Sequence, residues 1–199
     1  ARYVLENAGR LVFPFRRYQI QKAWRGERPQ EGRYREFLQA DIDIVGQDAL
    51  AAHHDVELPL VTLEALEKLH RDFRVPPVQM SVNNRQLSEG FYLGLGAEDP
   101  MAVLQRVDKL DKIGPAAVAE LLRGIGLSPA AAQLCLDLAT IRSEDESFVE
   151  RVQALGVEHP LLEAGLASLA QVVRTAAALV PGRLVADLKD LRSVLSLHV

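Results

Sequence analysis

Residues 25–43 read Arg-Gly-Glu-Arg-Pro-Gln-Glu-Gly-Arg-Tyr-Arg-Glu-Phe-Leu-Gln-Ala-Asp-Ile-Asp and hold four arginines and a Gly/Pro turn between two strand-like runs. After the turn, apolar and polar residues alternate, which is the period-two pattern of a strand with one buried face. The apolar side consists of Leu38, Ala40, Ile42 and Ile44, and the other side of Phe37, Gln39, Asp41 and Asp43. The pattern predicts a β-hairpin with a buried apolar face and a polar face.

The run before the turn alternates in the same way, with Gln19, Gln21, Ala23 and Arg25 on one side. If the two runs pair as a hairpin, Arg25 and Glu27 share a face with Phe37, Gln39 and Asp43. We call this predicted surface the polar face.

Arg25 is the first candidate for chemistry on the polar face. A guanidinium fixed on a strand, with Glu27 to orient it, suits bidentate contact with phosphate. The alternative is a cross-strand ion pair with Asp41 or Asp43, which contributes little to stability. Spacing alone leaves both interpretations open.

Gln39 and Asp43 combine an amide and a carboxylate, which together can bind an ammonium group or an imidazole ring. Phe37 can stack on a base, although an aromatic residue in a strand is more often part of the core. No serine nucleophile set, phosphate-cradling glycine loop or thiolate site is visible in the sequence.

The turn and its surroundings are basic. Residues 1–35 hold nine Lys/Arg against three Glu, whereas the whole chain has a net charge of −4. A basic segment on an acidic protein indicates a local anionic partner such as phosphate. Arg28, Arg33 and Arg35 are placed to close over a polyphosphate or a nucleic-acid end, and the alternative for each is plain solvent exposure.

Composition indicates a soluble globular protein, since 199 residues with 48% hydrophobic content can bury a core. The single cysteine, Cys135, cannot form an internal disulfide, and no signal-like or membrane-length apolar run is present. We therefore expect a cytoplasmic location. Adjacent His53 and His54, with Asp55, resemble metal ligands, but neighbouring helical side chains point about 100° apart, so no metal site is predicted.

The rest of the chain divides by composition. A helix is expected over residues 48–73, kinked or divided at Pro59, followed by a strand at 78–82 and a helix at 85–95. Residues 97–180 then show five helical patterns and no convincing strand, and residues 183–188 predict a strand returning to the first sheet. The helix starts are marked by Asp99-Pro100, Gly114-Pro115, Ser128-Pro129, a Ser143/Glu146 capping box and Pro160.

Four stretches together resemble the histidyl-tRNA synthetases, a family of class II aminoacyl-tRNA synthetases. Residues 24–39 look like motif 2 of that family, with Trp-Arg-Gly-Glu-Arg-Pro-Gln, then Gly-Arg-Tyr-Arg-Glu-Phe, and Gln39. Residues 2–7, 82–85 and 110–114 are similar to further segments of the same enzymes. The resemblance covers roughly residues 1–188 and is specific because the whole run does not arise from composition.

The resemblance implies an α+β fold: part of a class II antiparallel sheet with flanking helices, plus an all-α insertion domain. The expected domains are a partial catalytic core at 1–96, the insertion domain at 97–180, and a return to the core with an atypical tail at 181–199. It also implies that this chain is an incomplete portion of the enzyme and lacks part of the active site.

The resemblance further implies that the enzyme activates histidine with ATP and Mg²⁺ and transfers it to tRNA(His), as a homodimer. By position, Arg25 is expected to be the catalytic residue and to bind the α-phosphate. Gln39 and Asp43 are expected to bind and recognise the substrate histidine. The other expected ATP contacts are Glu27, Arg33 and Phe37, and weaker contacts with the tRNA acceptor end are expected from Arg28 and Arg35. Asp43 departs from the family, which has the longer Glu there.

Two rivals remain at this point. One is a synthetase-like regulatory subunit of histidine biosynthesis without aminoacylation activity, although the near-complete arginine and glutamate set favours the enzyme. The other is an isolated helical interaction module for which the synthetase portion is only a scaffold.

Overall fold

The computed structural model describes residues 2–26, 28–29 and 34–189, and the backbone of 195–198. It contains both helices and strands, and the predicted α+β class is confirmed. The helices are α1 (Arg2–Asn7), α2 (His53–Phe73), α3 (Arg85–Gly94), α4 (Pro100–Val107), α5 (Leu110–Arg123), α6 (Pro129–Ala139), α7 (Ser147–Gln153) and α8 (Pro160–Leu179). The strands are β1 (Phe15–Trp24), β2 (Glu36–Val45), β3 (Gln79–Val82), β4 (Arg142–Ser143), β5 (Leu184–Asp187) and β6 (Leu195–His198).

The chain forms two compact units, Ala1–Leu58 and Pro59–Val199. Their boundary lies inside α2, which runs through Pro59 as one helix instead of dividing there. These units are defined by packing within the chain, and the predicted domain limits at 96/97 and 180/181 stay a prediction. None of the described helices is long and apolar enough to cross a membrane.

The first unit is built around an antiparallel hairpin of β1 and β2. Its register pairs Phe15 with Val45 at one end and Trp24 with Glu36 at the other, without a break. The backbone N–H of Arg25 donates to the carbonyl of Arg35 at 2.9 Å, which extends the ladder toward the turn. β1 begins only after Pro14, which has no N–H to donate to a neighbouring strand.

The two faces of the hairpin differ from the prediction. Leu38, Ala40 and Ile42, expected to be buried, are exposed, and Leu38 is 75% exposed. Tyr18, Ile20 and Trp24 lie on the same exposed face, opposite the polar one. The alternation of side chains was predicted correctly, but a buried face also needs a second layer, and none of the described residues covers this one.

The second unit contains a separate four-stranded sheet in the order β4-β5-β3-β6. β5 runs parallel to β3, whereas β6 lies antiparallel to β3 and β4 antiparallel to β5. The predicted strand near residue 184 therefore exists, but it pairs with β3 and not with the hairpin. β4 also interrupts the block that was expected to be wholly helical. Its two residues give no periodic signal and become a strand only by pairing with β5.

Most helix starts follow the predicted punctuation. A side-chain oxygen of Asp99 accepts from the N–H of Ala102, and the Ser128 hydroxyl accepts from the N–H of Ala131, both at 3.1 Å. Gly114, with φ of 78°, breaks the helical path inside α5 directly before Pro115.

The predicted capping box at Ser143 and Glu146 is wrong. Ser143 belongs to β4, and Glu146 makes no side-chain capping bond to α7. Instead, the carboxylate of Asp145 accepts from the N–H of Ser147 at 2.9 Å. The preceding strand takes Ser143 out of the position that a capping box requires.

The core of the second unit centres on the crossing of α3 and α8. Gly90 of α3 lies against the backbone of Leu162, and Gly165 of α8 lies against the backbone of Leu87. Because neither glycine carries a Cβ, the two helix backbones approach closely. Large side chains that are completely buried in this unit include Leu63, Met80, Leu87, Phe91, Tyr92, Val103, Leu122, Leu138, Phe148 and Leu188.

Candidate active site

The turn-proximal end of the polar face brings Arg25 and Phe37 together. Phe37 is half-buried in β2 and pairs across the hairpin with Ala23, two residues before Arg25. The guanidinium carbon of Arg25 lies 5.0 Å from the centre of the Phe37 ring, a cation–π contact. Arg25 itself is exposed, so its planar donor groups remain open to a ligand.

The other end of the polar face holds an ion pair. Arg17 and Asp43 are direct cross-strand partners, and the Arg17 Nε donates to an Asp43 oxygen at 2.6 Å. The Arg17 Nη1 donates to the side-chain oxygen of Gln19 at 3.1 Å. Asp43 therefore forms an ion pair with Arg17, whereas the sequence had left Arg25 as its possible partner.

Gln39 and Asp41 lie between these two ends. The Gln39 amide donates to an Asp41 carboxylate oxygen at 2.5 Å, which fixes the orientation of both side chains. Gln39, Asp41 and Asp43 are all half-buried on one side of β2, as alternation predicts. Phe37 and Asp43 are six positions apart in β2, or about 20 Å of strand, which is room for a nucleotide and an amino acid laid end to end.

The structure describes only part of the turn between the two strands. Arg28 and Arg35 are both exposed, which fits contact with a large partner and the alternative of plain solvent exposure equally well. Glu27 and Arg33 lie outside the described residues, so their expected contacts with ATP stay predictions.

A cluster at the start of α2 adds ligand-type side chains. Three side chains there, His53, His54 and Glu57, each offer one ligand atom, and these atoms lie within 4.8 Å of one another. The predicted group had Asp55 as its third member, and its adjacent histidines were expected to diverge. Arg16 binds both Glu57 oxygens, at 2.5 and 2.9 Å, and His54 Nδ1 lies 2.8 Å from the same carboxylate. A guanidinium already occupies the carboxylate, so we assign this cluster a structural role in tying α2 to β1.

The Arg16–Glu57 contact has a pH signature. The hydrogen bond from Arg16, followed by the contact with His54, lowers the pKa of Glu57 to about 2. A carboxyl group with a lowered pKa stabilises the fold above its unfolded pKa, and that contribution disappears as pH falls toward 2.

We therefore expect Arg16→Gln to lower the free energy of unfolding at pH 6, and this deficit to shrink as pH falls from 4.5 to 2.5. Urea denaturation at several pH values measures the difference. Arg2→Gln is the matched control, because the Arg2–Glu6 pair is highly exposed and should contribute little at any pH. A deficit that stays constant down to pH 2.5 would contradict the assignment.

In two other stretches that resemble the synthetase family, polar side chains make contacts within the fold. At the end of β3, the Asn84 side chain caps α3 by accepting from the N–H of Gln86 at 2.9 Å, and the preceding Asn83 is buried. Asp111, in the first turn of α5, pairs with Lys189 at 3.0 Å.

Arg17 is the site residue that sequence reasoning missed. Side chains on one side of a strand recur at every second residue, so Arg17 lies on the same side as Gln19, Gln21 and Arg25. Because β1 starts at Phe15, Arg17 belongs to the strand and its side chain lies on the polar face. The predicted alternation began at Gln19, so Arg17 was left out of the pattern.

Comparison with known proteins identifies the family of the chain. Residues 4–195 match the model of the histidyl-tRNA synthetase family. The chain is 65% identical over 195 residues to a histidine-tRNA ligase of Cutibacterium acnes and 58% identical over 196 residues to one of Micrococcus luteus. Each match covers 98% of this chain but only 43% and 42% of the relative, so the chain spans less than half the length of these enzymes.

Solved structures give the same result at the level of the fold. A histidyl-tRNA synthetase from Nostoc superposes with a TM-score of 0.81 at 25% identity, covering 97% of this chain and 44% of that one. A protein described as an ATP phosphoribosyltransferase regulatory subunit/histidyl-tRNA synthetase from Bacillus halodurans has a TM-score of 0.77 at 15% identity, covering 99% of this chain and 51% of that one. At that identity the second likeness reflects the fold alone. With the family match over nearly its whole length and the motif 2 residues carried on one hairpin, the chain belongs to the histidyl-tRNA synthetase family.

Proposed function

We propose that the parent protein, meaning a protein of the relatives' length that contains this chain, is a ligase that joins histidine to tRNA(His) through a histidyl-adenylate. The observation that carries the proposal is the polar face, on which Arg25, Phe37, Gln39 and Asp43 project from one side of a hairpin. Family membership and identity of up to 65% to histidine-tRNA ligases support the same reaction.

Arg25 and Phe37 form the nucleotide end of this proposed site. The Phe37 ring provides a surface for the adenine, and the adjacent guanidinium of Arg25 binds the α-phosphate through its fork of donors. When the histidine carboxylate attacks that phosphorus, charge builds up on the phosphate oxygens before pyrophosphate leaves. A guanidinium already in place stabilises this charge without reorganisation.

Gln39 and Asp43 form the amino-acid end. Both are held by neighbours on the same face, Gln39 by Asp41 and Asp43 by Arg17, so they are oriented before a substrate arrives. Such preorganisation reduces the entropic cost of placing the histidine carboxylate near the α-phosphate.

The described part of the polar face offers Mg²⁺ no carboxylate that is without a partner. That ion typically takes one or two carboxylates together with substrate phosphates, and Asp41 and Asp43 are already bonded to Gln39 and Arg17. We therefore assign no step of the reaction to a metal held by these residues, although ATP-dependent activation by this family implies that Mg²⁺ accompanies the nucleotide.

The remaining expectations extend the proposal to partners and domains. Exposed Arg28 and Arg35 beside the turn suit the phosphates of the tRNA acceptor end. Residues 97–180 form the insertion domain, which approaches the acceptor arm by shape because its charge balance is acidic. We also propose a homodimer of the parent protein that works in the cytoplasm, which light scattering and cell fractionation test.

The test is histidine-dependent exchange of labelled pyrophosphate into ATP by the purified parent protein. We expect exchange well above background with histidine and none when histidine is omitted or replaced by lysine, since formation of the adenylate requires the cognate amino acid. The assay needs no tRNA, so it isolates the chemistry assigned to the polar face.

An absence of exchange in folded, intact protein would reject the enzyme and favour the regulatory subunit of histidine biosynthesis. Exchange without charging of tRNA(His) would instead restrict the proposal to histidine activation.

A further inference from the structure

We propose that Arg17 determines the charge state in which histidine is accepted: by cancelling the charge of Asp43, it makes this end of the polar face select the neutral imidazole over a cation. The inference rests on the proposed function, because it assigns the Asp43 end of the same site to the histidine side chain. It is carried by a contact that neither the sequence pattern nor the family resemblance indicated.

Arg17 is fixed beside Asp43 by two independent constraints. The backbone register places the two residues directly opposite each other, where cross-strand side chains meet. The guanidinium then bonds to an Asp43 oxygen at 2.6 Å and to Gln19 at 3.1 Å. The Arg17 side chain is 29% exposed and the Asp43 side chain 47%, so the pair is only partly screened from water. The bond to Arg17 uses one Asp43 oxygen, Oδ2.

The other charges around Asp43 do not replace Arg17. On β2, Asp41 lies two residues away, about 7 Å along the strand, and its carboxylate accepts from Gln39. On β1, the side chain of the neighbouring cation Arg16 lies on the other side of the strand and pairs with Glu57, beside His54. Among the described residues of the hairpin, Arg17 is therefore the cation that contacts Asp43. Without it, Asp41 and Asp43 would leave this end of the face strongly negative.

The chemistry of the substrate makes this charge decisive. Histidine is the amino acid whose side chain changes charge near neutral pH, with a pKa of about 6.5. A lone carboxylate attracts imidazolium, and equally the cationic side chains of lysine or arginine. An ion-paired carboxylate keeps Oδ1 as a hydrogen-bond acceptor for a neutral imidazole N–H, while the guanidinium repels a second cation. The pair thus offers discrimination that Asp43 alone does not.

Isothermal titration calorimetry of histidine binding to the parent protein tests this directly. At pH 6 about three quarters of free histidine carries a protonated imidazole. If the neutral form binds, about 0.7 to 0.8 proton is released per histidine, and the amount follows from the heats in buffers of different ionisation enthalpy. We expect this release for the natural protein, and less than about 0.3 proton for Arg17→Gln, which then binds both forms.

Two control variants separate charge from structure. Arg17→Lys keeps the cation and should keep the release near that of the natural protein. Arg16→Gln makes the same change on the other face of the strand and should also leave it unchanged. Proton release is counted per bound histidine, so a variant that folds only partly still gives a valid value.

Equal proton release by Arg17→Gln and the natural protein would overturn the inference, as would release near zero by the natural protein or a failure to bind histidine. The calorimetry requires no turnover. Its result therefore stands apart from the pyrophosphate exchange assay, which alone decides the proposed reaction.

Discussion

Replacement of Arg25 by Ala is expected to slow histidine-dependent pyrophosphate exchange by the parent protein about 10²- to 10³-fold. The lost guanidinium is the preorganised donor that lies over Phe37 at the nucleotide end of the polar face. Because the proposed contact strengthens as charge develops on the α-phosphate, the loss should fall mainly on the maximal rate and less on the KM for ATP. Steady-state exchange kinetics at saturating histidine measure both quantities.

Two further variants serve as controls for the effect of Arg25→Ala. Arg10→Ala removes an exposed arginine of the same basic segment, outside the hairpin, and should change the rate by less than about twofold. Arg25→Lys keeps the charge but loses the planar fork, so an intermediate rate is expected. An unchanged rate for Arg25→Ala, in protein with normal thermal stability, would reduce Arg25 to a surface residue stacked on Phe37.

Replacement of Gly165 by Ala is expected to destabilise the second unit by about 3 kcal/mol, since forcing atoms into a tightly packed core costs about 1–3 kcal/mol and occasionally more. A Cβ at this position would lie 2.2 Å from the backbone nitrogen of Leu87 and 2.8 Å from its Cα. Backbone cannot move aside as a side-chain tip does, so α3 and α8 must separate. Urea denaturation followed by circular dichroism measures the loss in free energy of unfolding.

Gly124→Ala is the matched control for this prediction. Gly124 ends α5 with φ of −62°, which any residue adopts, and the nearest atoms to an added Cβ are carbonyl oxygens at 3.4 and 3.5 Å. Alanine there should be neutral or stabilising by up to about 1 kcal/mol, because it restricts the unfolded chain. If both variants have the stability of the natural protein, the close approach of α3 and α8 at Gly165 is wrong.

The sequence predicted the local structure of the hairpin because local rules govern it. Period-two alternation assigned Phe37, Gln39 and Asp43 to one side of β2, and this assignment is confirmed. Helix starts at Pro100, Pro129 and Pro160 were likewise predicted from residues within one turn. The predicted capping box at Ser143 was wrong because Ser143 pairs with β5, a strand that is distant in sequence.

Tertiary structure decided which side of the hairpin is covered and which residues pair across it. Apolar side chains such as Leu38 predicted a buried face, but burial depends on what packs against the strand, and this face is exposed in the described chain. Likewise, charge spacing left Arg25 as a possible partner of Asp43. The register gave that partner to Arg17, because cross-strand neighbours are fixed by where the two strands align.

The sequence by itself therefore determined the family, the hairpin and the parity of its polar face, because these depend on residue types at short, fixed spacings. Only the tertiary structure decided the Arg17–Asp43 pair, the placement of β5 beside β3, and the contact of Gly90 and Gly165 with the facing helix. Each of these joins residues that are far apart in the chain. Their meeting depends on register and packing density, which no local pattern of residues encodes.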